Sequence, residues 1–334
     1  MNTADQAALR TFAGREALLV EQAMRGDLAE ALQGCDPLLV EVIDYALFGG
    51  GKRIRPLLAI LAARLCGSAD SSMYSLAAAF EYLHVATLIH DDVIDNAKAR
   101  RGREAVGRRY GPAPAILAGD WLHARSLYLV GRFAGPEGLA VFCRSTTGMV
   151  DGEFLQLRHV ADCALTEEGY FAIILRKTAL LIASTCEIGA IFAGAAAQQR
   201  ASLAEYGSKL GTAFQVIDDL LDYQGDAAST GKQTGNDFRE GKLTLPLLRA
   251  LAKAGETERA GIAALFAGDR RDGGSLDTVC RFIEHHDGFA SARQTAVQLV
   301  NEAMAALAPF AGQGDSESLA MLQALAGYVL ARNK

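Results

Sequence analysis

The sequence predicts an all-α fold, and three observations carry that prediction. Half of the residues are apolar, with Pro scarce and aromatics only 7%, a composition that suits helices better than a sandwich of short strands. Apolar residues recur at helical spacing from end to end, as Leu76, Ala79, Leu83, Ala86 and Ile89 do in SLAAAFEYLHVATLIHDDVIDNA. The breaks between such segments are mostly short, which argues for one bundle of long helices around a common centre. A chain of 334 residues can bury a large core without disulfides or metals, so the expectation is a single domain over 1–334, with a helix at about 1–35 on its periphery.

In chain order, the breaks fall at FGGGKRIRP (48–56), CGSAD (66–70), RYGPAPA (109–115), AGPEG (134–138), QGDAASTGKQTGND (224–237) and GDRRDGGS (268–275). The stretch 224–242 is longer than the others, and its Lys, Thr, Gly and Asp content marks it as a candidate active-site loop. The greasiest stretch, TALLIASTCEIGAIFAGAAA (178–197), approaches membrane-spanning length but is interrupted by Ser184, Thr185 and Glu187, so it reads as a buried core helix. The N-terminal segment carries Asp and Glu and no uninterrupted apolar region, unlike a signal peptide.

The net charge is −6, which excludes the broad basic surface of a nucleic-acid binder; any anion has to be met by a local basic cluster. The six cysteines, Cys35, Cys66, Cys143, Cys163, Cys186 and Cys280, form no CxxC pair, so they read as reduced thiols of a cytoplasmic protein.

The chemistry concentrates in HDDVIDNAKARRG (90–102). Asp91 and Asp95 are four apart and share a helix face, Asp92 flanks them, and all three sit at the C-terminal part of their helix, where the dipole is already negative. DDVID (91–95) returns as DDLLD (218–222), with Asp218, Asp219 and Asp222 in the same arrangement. Carboxylates ~6 Å apart repel by roughly 3 kcal/mol at an effective dielectric of 20, so a buried pair calls for a cation. All-oxygen donors select Mg2+, or Mn2+, over zinc, and Mg2+ commonly takes phosphate oxygens as its remaining ligands. One such ladder could be a solvated helix end; two copies, each behind a strongly apolar run, point to a metal cluster around a polyphosphate.

Cations suited to a diphosphate accompany the ladders. Lys52, Arg53 and Arg55 follow three glycines, Arg100 and Arg101 follow the first ladder, and Lys232 and Lys242 follow the second. None of these runs has the spacing of a Walker loop. His90, His123, His159, His285 and His286 show no metal-ligand spacing and receive no role.

GGGKRIRP, HDDVIDNAKARRG, AGDWLHARS, GEFLQL, KTALL, FQVIDDLLDY, GKQTGNDFREGKLTLPLL and LAGYVLARNK, in this order, resemble the trans-isoprenyl diphosphate synthase family over roughly residues 40–334. The resemblance implies a bundle of long helices with the two ladders facing each other at the mouth of a deep cavity. It implies a homodimer, and a Mg2+-dependent condensation of an allylic diphosphate with isopentenyl diphosphate. By motif, Asp91, Asp95 and Asp218 would ligate metal, supported by Asp92, Asp219 and Asp222. Arg100, Lys177, Thr178, Gln215, Lys232 and Lys242 would hold the allylic diphosphate, and Lys52, Arg55, His84 and Arg101 isopentenyl diphosphate. Two rival readings are weaker: a helical metal phosphohydrolase lacks a histidine set, and a non-catalytic partner subunit would not need both ladders.

Product length is read from the residues one turn before Asp91. Ala86 and Thr87 are small there, and Tyr82, another turn away, is a possible obstruction, with Leu127 and Phe154 as alternative floors from a neighbouring helix. An open cavity predicts an all-trans polyprenyl diphosphate near C40 rather than a farnesyl or geranylgeranyl product. No segment is read as a membrane span, but so lipophilic a product makes transient membrane contact an expectation.

Overall fold

The computed structural model describes residues 3–224, 235–270, 272–312 and 314–332. The chain is helical almost throughout, as the composition predicts. The helices are α1 (Thr3–Ala31), α2 (Pro37–Leu47), α3 (Ile54–Leu65), α4 (Met73–Ile94), α5 (Val106–Tyr110), α6 (Pro112–Arg158), α7 (Glu167–Ile174), α8 (Leu180–Phe192) and α9 (Ala197–Gln224). After them come α10 (Asn236–Glu240), α11 (Leu245–Lys253), α12 (Glu256–Ala267), α13 (Gly273–His285), α14 (Gly288–Ala306) and α15 (Ser316–Ala331).

The caps follow local chemistry. Asp36 accepts from the Leu38 N–H with Pro37 at the first helical position, and Thr166 and Asp315 accept from the N–H groups of Gly169 and Ser318. The predicted break at AGPEG is a kink inside α6, made by Gly135 at φ 65° followed by Pro136. After Asp95 the chain makes a hairpin that the breaks in the sequence do not mark: β1 (Ala99–Arg100) pairs with β2 (Arg103–Glu104), and Arg101 and Gly102 make the turn at φ 51° and 76°.

Two apolar cores lie side by side. One gathers α8, α9 and α11 to α15 around Tyr206, Phe238, Phe266 and Phe310; the other joins α1, α2, α4 and α6 around Phe80, Phe142 and Met24. α4 packs along α6, α9 lies between α8 and α14, and α3 touches both α4 and α8. Close approach depends on small residues: a Cβ on Gly189 would stand 2.4 Å from the Ala59 carbonyl oxygen of α3. The first ladder ends α4 in one core and the second ends α9 in the other, so the site lies where the two cores meet.

The segment 178–197 forms α8 and the start of α9, with Leu181, Cys186 and Ile188 fully buried, and no described helix is long and apolar enough to cross a membrane. Helix α1 lies against α3, α4 and α15 and is fastened by polar ties as well as by buried Phe12, Val20 and Met24. Glu16, 1% exposed, accepts from Arg64 and Tyr74, while Asp27 accepts from Arg125 at 2.5 Å and from the Tyr82 hydroxyl at 3.0 Å.

Candidate active site

The first ladder terminates α4. Asp95 caps the helix, its N–H donating to the Asp91 carbonyl, so Asp91 and Asp95 stand where the last backbone carbonyls already concentrate negative charge. Burial raises the affinity of both carboxylates for protons, and Glu153 adds to this at Asp91, as does Glu240 at Asp95. No described residue gives either carboxylate a hydrogen bond or an ion pair. Asp92 differs: it is 5% exposed and is gripped by Arg100, whose Nε lies 2.8 Å from both carboxylate oxygens.

The second ladder is engaged throughout. Asp219 accepts from the Tyr170 hydroxyl at 2.6 Å and from Gln215 at 2.8 Å, and Thr178 donates to Gln215 at 3.0 Å. Burial nevertheless pushes the Asp219 carboxyl up to about 7. Asp222 accepts the backbone N–H groups of Asn236 and Asp237, which starts α10, and Asp218 pairs with Arg332 at 2.8 Å.

Lys177 lies between the ladders. It sits in a π-helical turn over Leu175–Ala179 that presses on α6: a Cβ on Gly152 would come within 2.7 Å of the Lys177 nitrogen. Its ammonium pairs with Glu153 at 2.7 Å, and its charge favours the ionised forms of Asp91 and Asp95. Lys242 pairs with Glu240 at 2.5 Å and also acts on Asp95, so the end of α4 and the end of α10 share one field. A cavity brings together Lys177, Thr178, Gln215, Asp219, Asp237 and Lys242. Of the residues expected to hold the allylic diphosphate, Lys232 lies outside the described residues, and Arg100 is held by Asp92 while its charge acts on both Asp91 and His84.

The basic cluster forms around the glycine turn. Arg101 donates to the Gly50 carbonyl, and Arg55 is half-buried, with its buried Nε finding no partner among the described residues. Burial, and to a lesser extent the neighbouring Arg101, make the Arg55 guanidinium less basic than usual. Next to them the His84 imidazole falls from its ordinary 6.5 to about 2, through burial and then the charges of Arg55, Arg101, Arg100 and Arg53, so it is neutral. An orphaned guanidinium nitrogen amid like charges is a site short of an anion. Arg53 serves otherwise: 6% exposed, it is closed off by Glu81 at 2.5 Å and the Leu47 carbonyl at 2.7 Å. Lys52 is exposed and reaches the Tyr328 hydroxyl at 3.4 Å.

Behind Asp91, Ala86 is 2% exposed and Thr87 bonds back to the His84 carbonyl. Tyr82 points to α1, toward Met24 and Asp27, so it is turned away from the ladder and cannot obstruct a cavity there. Phe154 is 65% exposed and faces outward, which removes it as a floor. Phe80, three turns before Asp91, was missed; it is fully buried edge-on against Phe142 at 5.9 Å. Glu153, Asp237 and Tyr170 were missed as well. GEFLQL and GNDFRE contain the two acids, but nothing in their spacing shows that they meet a ladder from another helix.

The uncommitted oxygens of Asp91 and Asp95, which repel their acidic neighbours, fit a hard divalent cation. Comparison with known proteins agrees with this picture. The family model "Polyprenyl synthetase" matches residues 36–283. The octaprenyl diphosphate synthase of Escherichia coli (strain K12) is 37% identical over 282 residues, 84% of this chain and 86% of that one. A decaprenyl diphosphate synthase from Rhodobacter capsulatus superposes with a TM-score of 0.89 at 36% identity, covering 98% of this chain and 99% of that one. A polyprenyl synthase from Caulobacter crescentus, solved with calcium and isoprenyl diphosphate, gives 0.85 at 35%, covering 96% and 98%. Two carboxylate ladders, a basic cluster short of an anion and these likenesses converge: the chain belongs to the polyprenyl synthetase family, a family of prenyltransferases.

Proposed function

We propose that the chain condenses isopentenyl diphosphate with an allylic diphosphate to make an all-trans polyprenyl diphosphate near C40. The observation that carries this reading is the pairing of two half-sites: carboxylates at Asp91 and Asp95 without partners among the described residues, and about seven positions up the same helix the neutral His84 among Arg55, Arg100 and Arg101. The first suits a metal-bound diphosphate and the second a diphosphate held by side chains without metal. The Caulobacter structure, solved with calcium and isoprenyl diphosphate, supports a fold that takes both a divalent cation and a diphosphate.

Asp91, Asp95 and Asp218 would hold Mg2+, with Asp92, Asp219 and Asp222 in support. When bound, the metal would stabilise the charge gathering on the departing diphosphate. Lys177, Thr178, Gln215 and Lys242 would hold that diphosphate, while Lys52, Arg55, His84 and Arg101 orient isopentenyl diphosphate so that its double bond meets the allylic carbon. The allylic C–O bond breaks with its electron pair leaving on the diphosphate, the new C–C bond forms, and a proton is lost. The apolar walls around Ala86 keep water from the allylic cation. No protein nucleophile is used.

The product near C40 rests on the small side chains at Ala86 and Thr87 and on the outward turn of Tyr82; the octaprenyl and decaprenyl activities of the relatives support it. Exposed Leu117, Tyr128, Val150, Phe154 and Leu157 on α6 support a homodimer, and six free cysteines support a reducing cytoplasmic setting. Transient membrane contact follows from the product's lipophilicity alone.

The test is elongation of labelled isopentenyl diphosphate from an allylic primer with Mg2+, with products sized after dephosphorylation. Products well beyond C20 are expected, and Ala86→Phe should shorten them. Products ending at C15 or C20 would keep the chemistry and overturn the open cavity; no elongation from any primer would leave a partner-dependent subunit.

A further inference from the structure

Far along the chain from the ladders, the C-terminal end of α13 gathers three ligand-type side chains. His285 is its last residue and His286 its cap, and Glu258 comes from the first turn of α12. One ligand atom from each lies within 4.8 Å of the other two. The cluster is held in place. Glu258 accepts the Gly255 N–H at 3.0 Å, and His286 packs edge-on against Phe282 at 4.8 Å between ring centres and against His285 at 4.9 Å. His286 Nε2 stands 3.3 Å from Glu258 Oε1, which is about the ligand-to-ligand edge of a tetrahedral zinc site with bonds of about 2.0–2.1 Å. His285 is exposed, so its ring has room to turn toward the other two. The nearby Lys253 ammonium approaches Asp287 at 3.5 Å, which offsets its charge, and the carbonyl end of α13 presents partial negative charge to a cation.

We propose that Glu258, His285 and His286 form a second metal site, selective for a divalent transition ion of the zinc class. Two imidazoles and one carboxylate with an open fourth position are the donor set of zinc and its neighbours, whereas the ladders offer only oxygen and suit Mg2+. The two kinds of site sort their ions by donor chemistry, so both can be filled in one molecule. The ion would tie the start of α12 to the end of α13. At the opposite end of the pair, Leu276 near the start of α13 lies against Gly235, where an added Cβ would come within 2.4 Å of it, and Arg270, between the two helices, donates to the Arg239 carbonyl at 3.2 Å. Sequence spacing hides the set because Glu258 is 27 residues from the first histidine and meets the pair only in the folded chain.

The test is a Zn2+ titration of untagged full-length protein in excess Mg2+, followed by calorimetry, with Co2+ as a spectroscopic substitute. One zinc site per chain of micromolar or tighter affinity is expected, with a Co2+ visible band. His285→Ala, His286→Ala and Glu258→Gln should each weaken it, by on the order of 100-fold for the histidines. Asp91→Ala should leave it unchanged. Zinc binding that survives both histidine variants, zinc binding lost with Asp91→Ala, or no zinc binding overturns the proposal.

Discussion

DDVID and DDLLD read alike in the sequence, yet the fold treats them differently. In the first ladder only Asp92 has a partner, Arg100, while Asp91 and Asp95 have none among the described residues. In the second, Tyr170 and Gln215 serve Asp219, the start of α10 serves Asp222 and Arg332 serves Asp218. The difference follows from position. Ladder one ends a helix that runs into an exposed hairpin, whereas ladder two ends a helix enclosed by α7, α10 and the C-terminal α15. The first holds its charge in reserve for an incoming cation, and the second also ties elements of the fold together.

The sharpest way to break this comparison is to delete one carboxylate from each ladder and measure turnover beside stability. Asp91→Ala should lower kcat by on the order of 1000-fold, the scale seen when preorganised charge stabilisation is removed. It should leave the metal-free protein as stable as before or slightly more so, because a half-buried carboxylate with no partner among the described residues has been removed. Asp222→Ala should lower activity too, but it also strands the N–H groups of Asn236 and Asp237, at a cost of about 1–3 kcal/mol for each one that stays buried. Equal unfolding midpoints for the two variants would erase the distinction.

A smaller effect tests the buried centre of the second ladder. The Asp219 carboxyl is raised to about 7 by burial, so the folded, metal-free protein keeps its proton where the unfolded chain, at an ordinary 3.8, has lost it. From this group, stability is highest at low pH, declines as pH rises from about 4 to about 7, and is level above that. Tyr170→Phe removes a hydrogen bond that matters most to the ionised form. It should cost about 2 kcal/mol at pH 8 and less at pH 5, read from denaturant midpoints in EDTA. A cost independent of pH would mean that Tyr170 contributes packing alone.

The sequence made the helical fold and both ladders legible because these depend on local periodicity and on charges three or four residues apart. Local spacing also placed His84 two turns from Asp91, where the structure surrounds it with arginines. What stayed hidden depends on contacts between distant segments. Arg53 and Arg55 are two residues apart in one basic run, yet the left-handed turn at Arg53 sends its side chain inward to Glu81, while the Arg55 Nε has no partner among the described residues. Tyr82 looked like an obstruction until Asp27 of α1 supplied the partner that turns it outward. Glu153 and Tyr170 carry no spacing signal, since each meets its ladder from another helix.

The smallest effect concerns Arg332. Its guanidinium holds Asp218 at 2.8 Å and stacks over Phe214 at 4.1 Å, so the carboxylate expected to bind metal already has a cation. A metal ion binding at Asp218 has to displace or share that partner, and nothing comparable stands at Asp91. Arg332→Ala should therefore tighten Mg2+ binding in the absence of substrate by up to about fivefold, the range of a partly exposed ion pair, while Arg332→Lys should change it little. Magnesium titrations of the three proteins decide the matter. Unchanged affinity would mean that Asp218 can bind metal without giving up Arg332, and the two ladders would then differ in stability alone. Tightening would make the C-terminal helix part of the metal response. That helix touches the basic cluster as well, through Tyr328 and Lys52, so filling the second ladder would also be felt where isopentenyl diphosphate is proposed to bind.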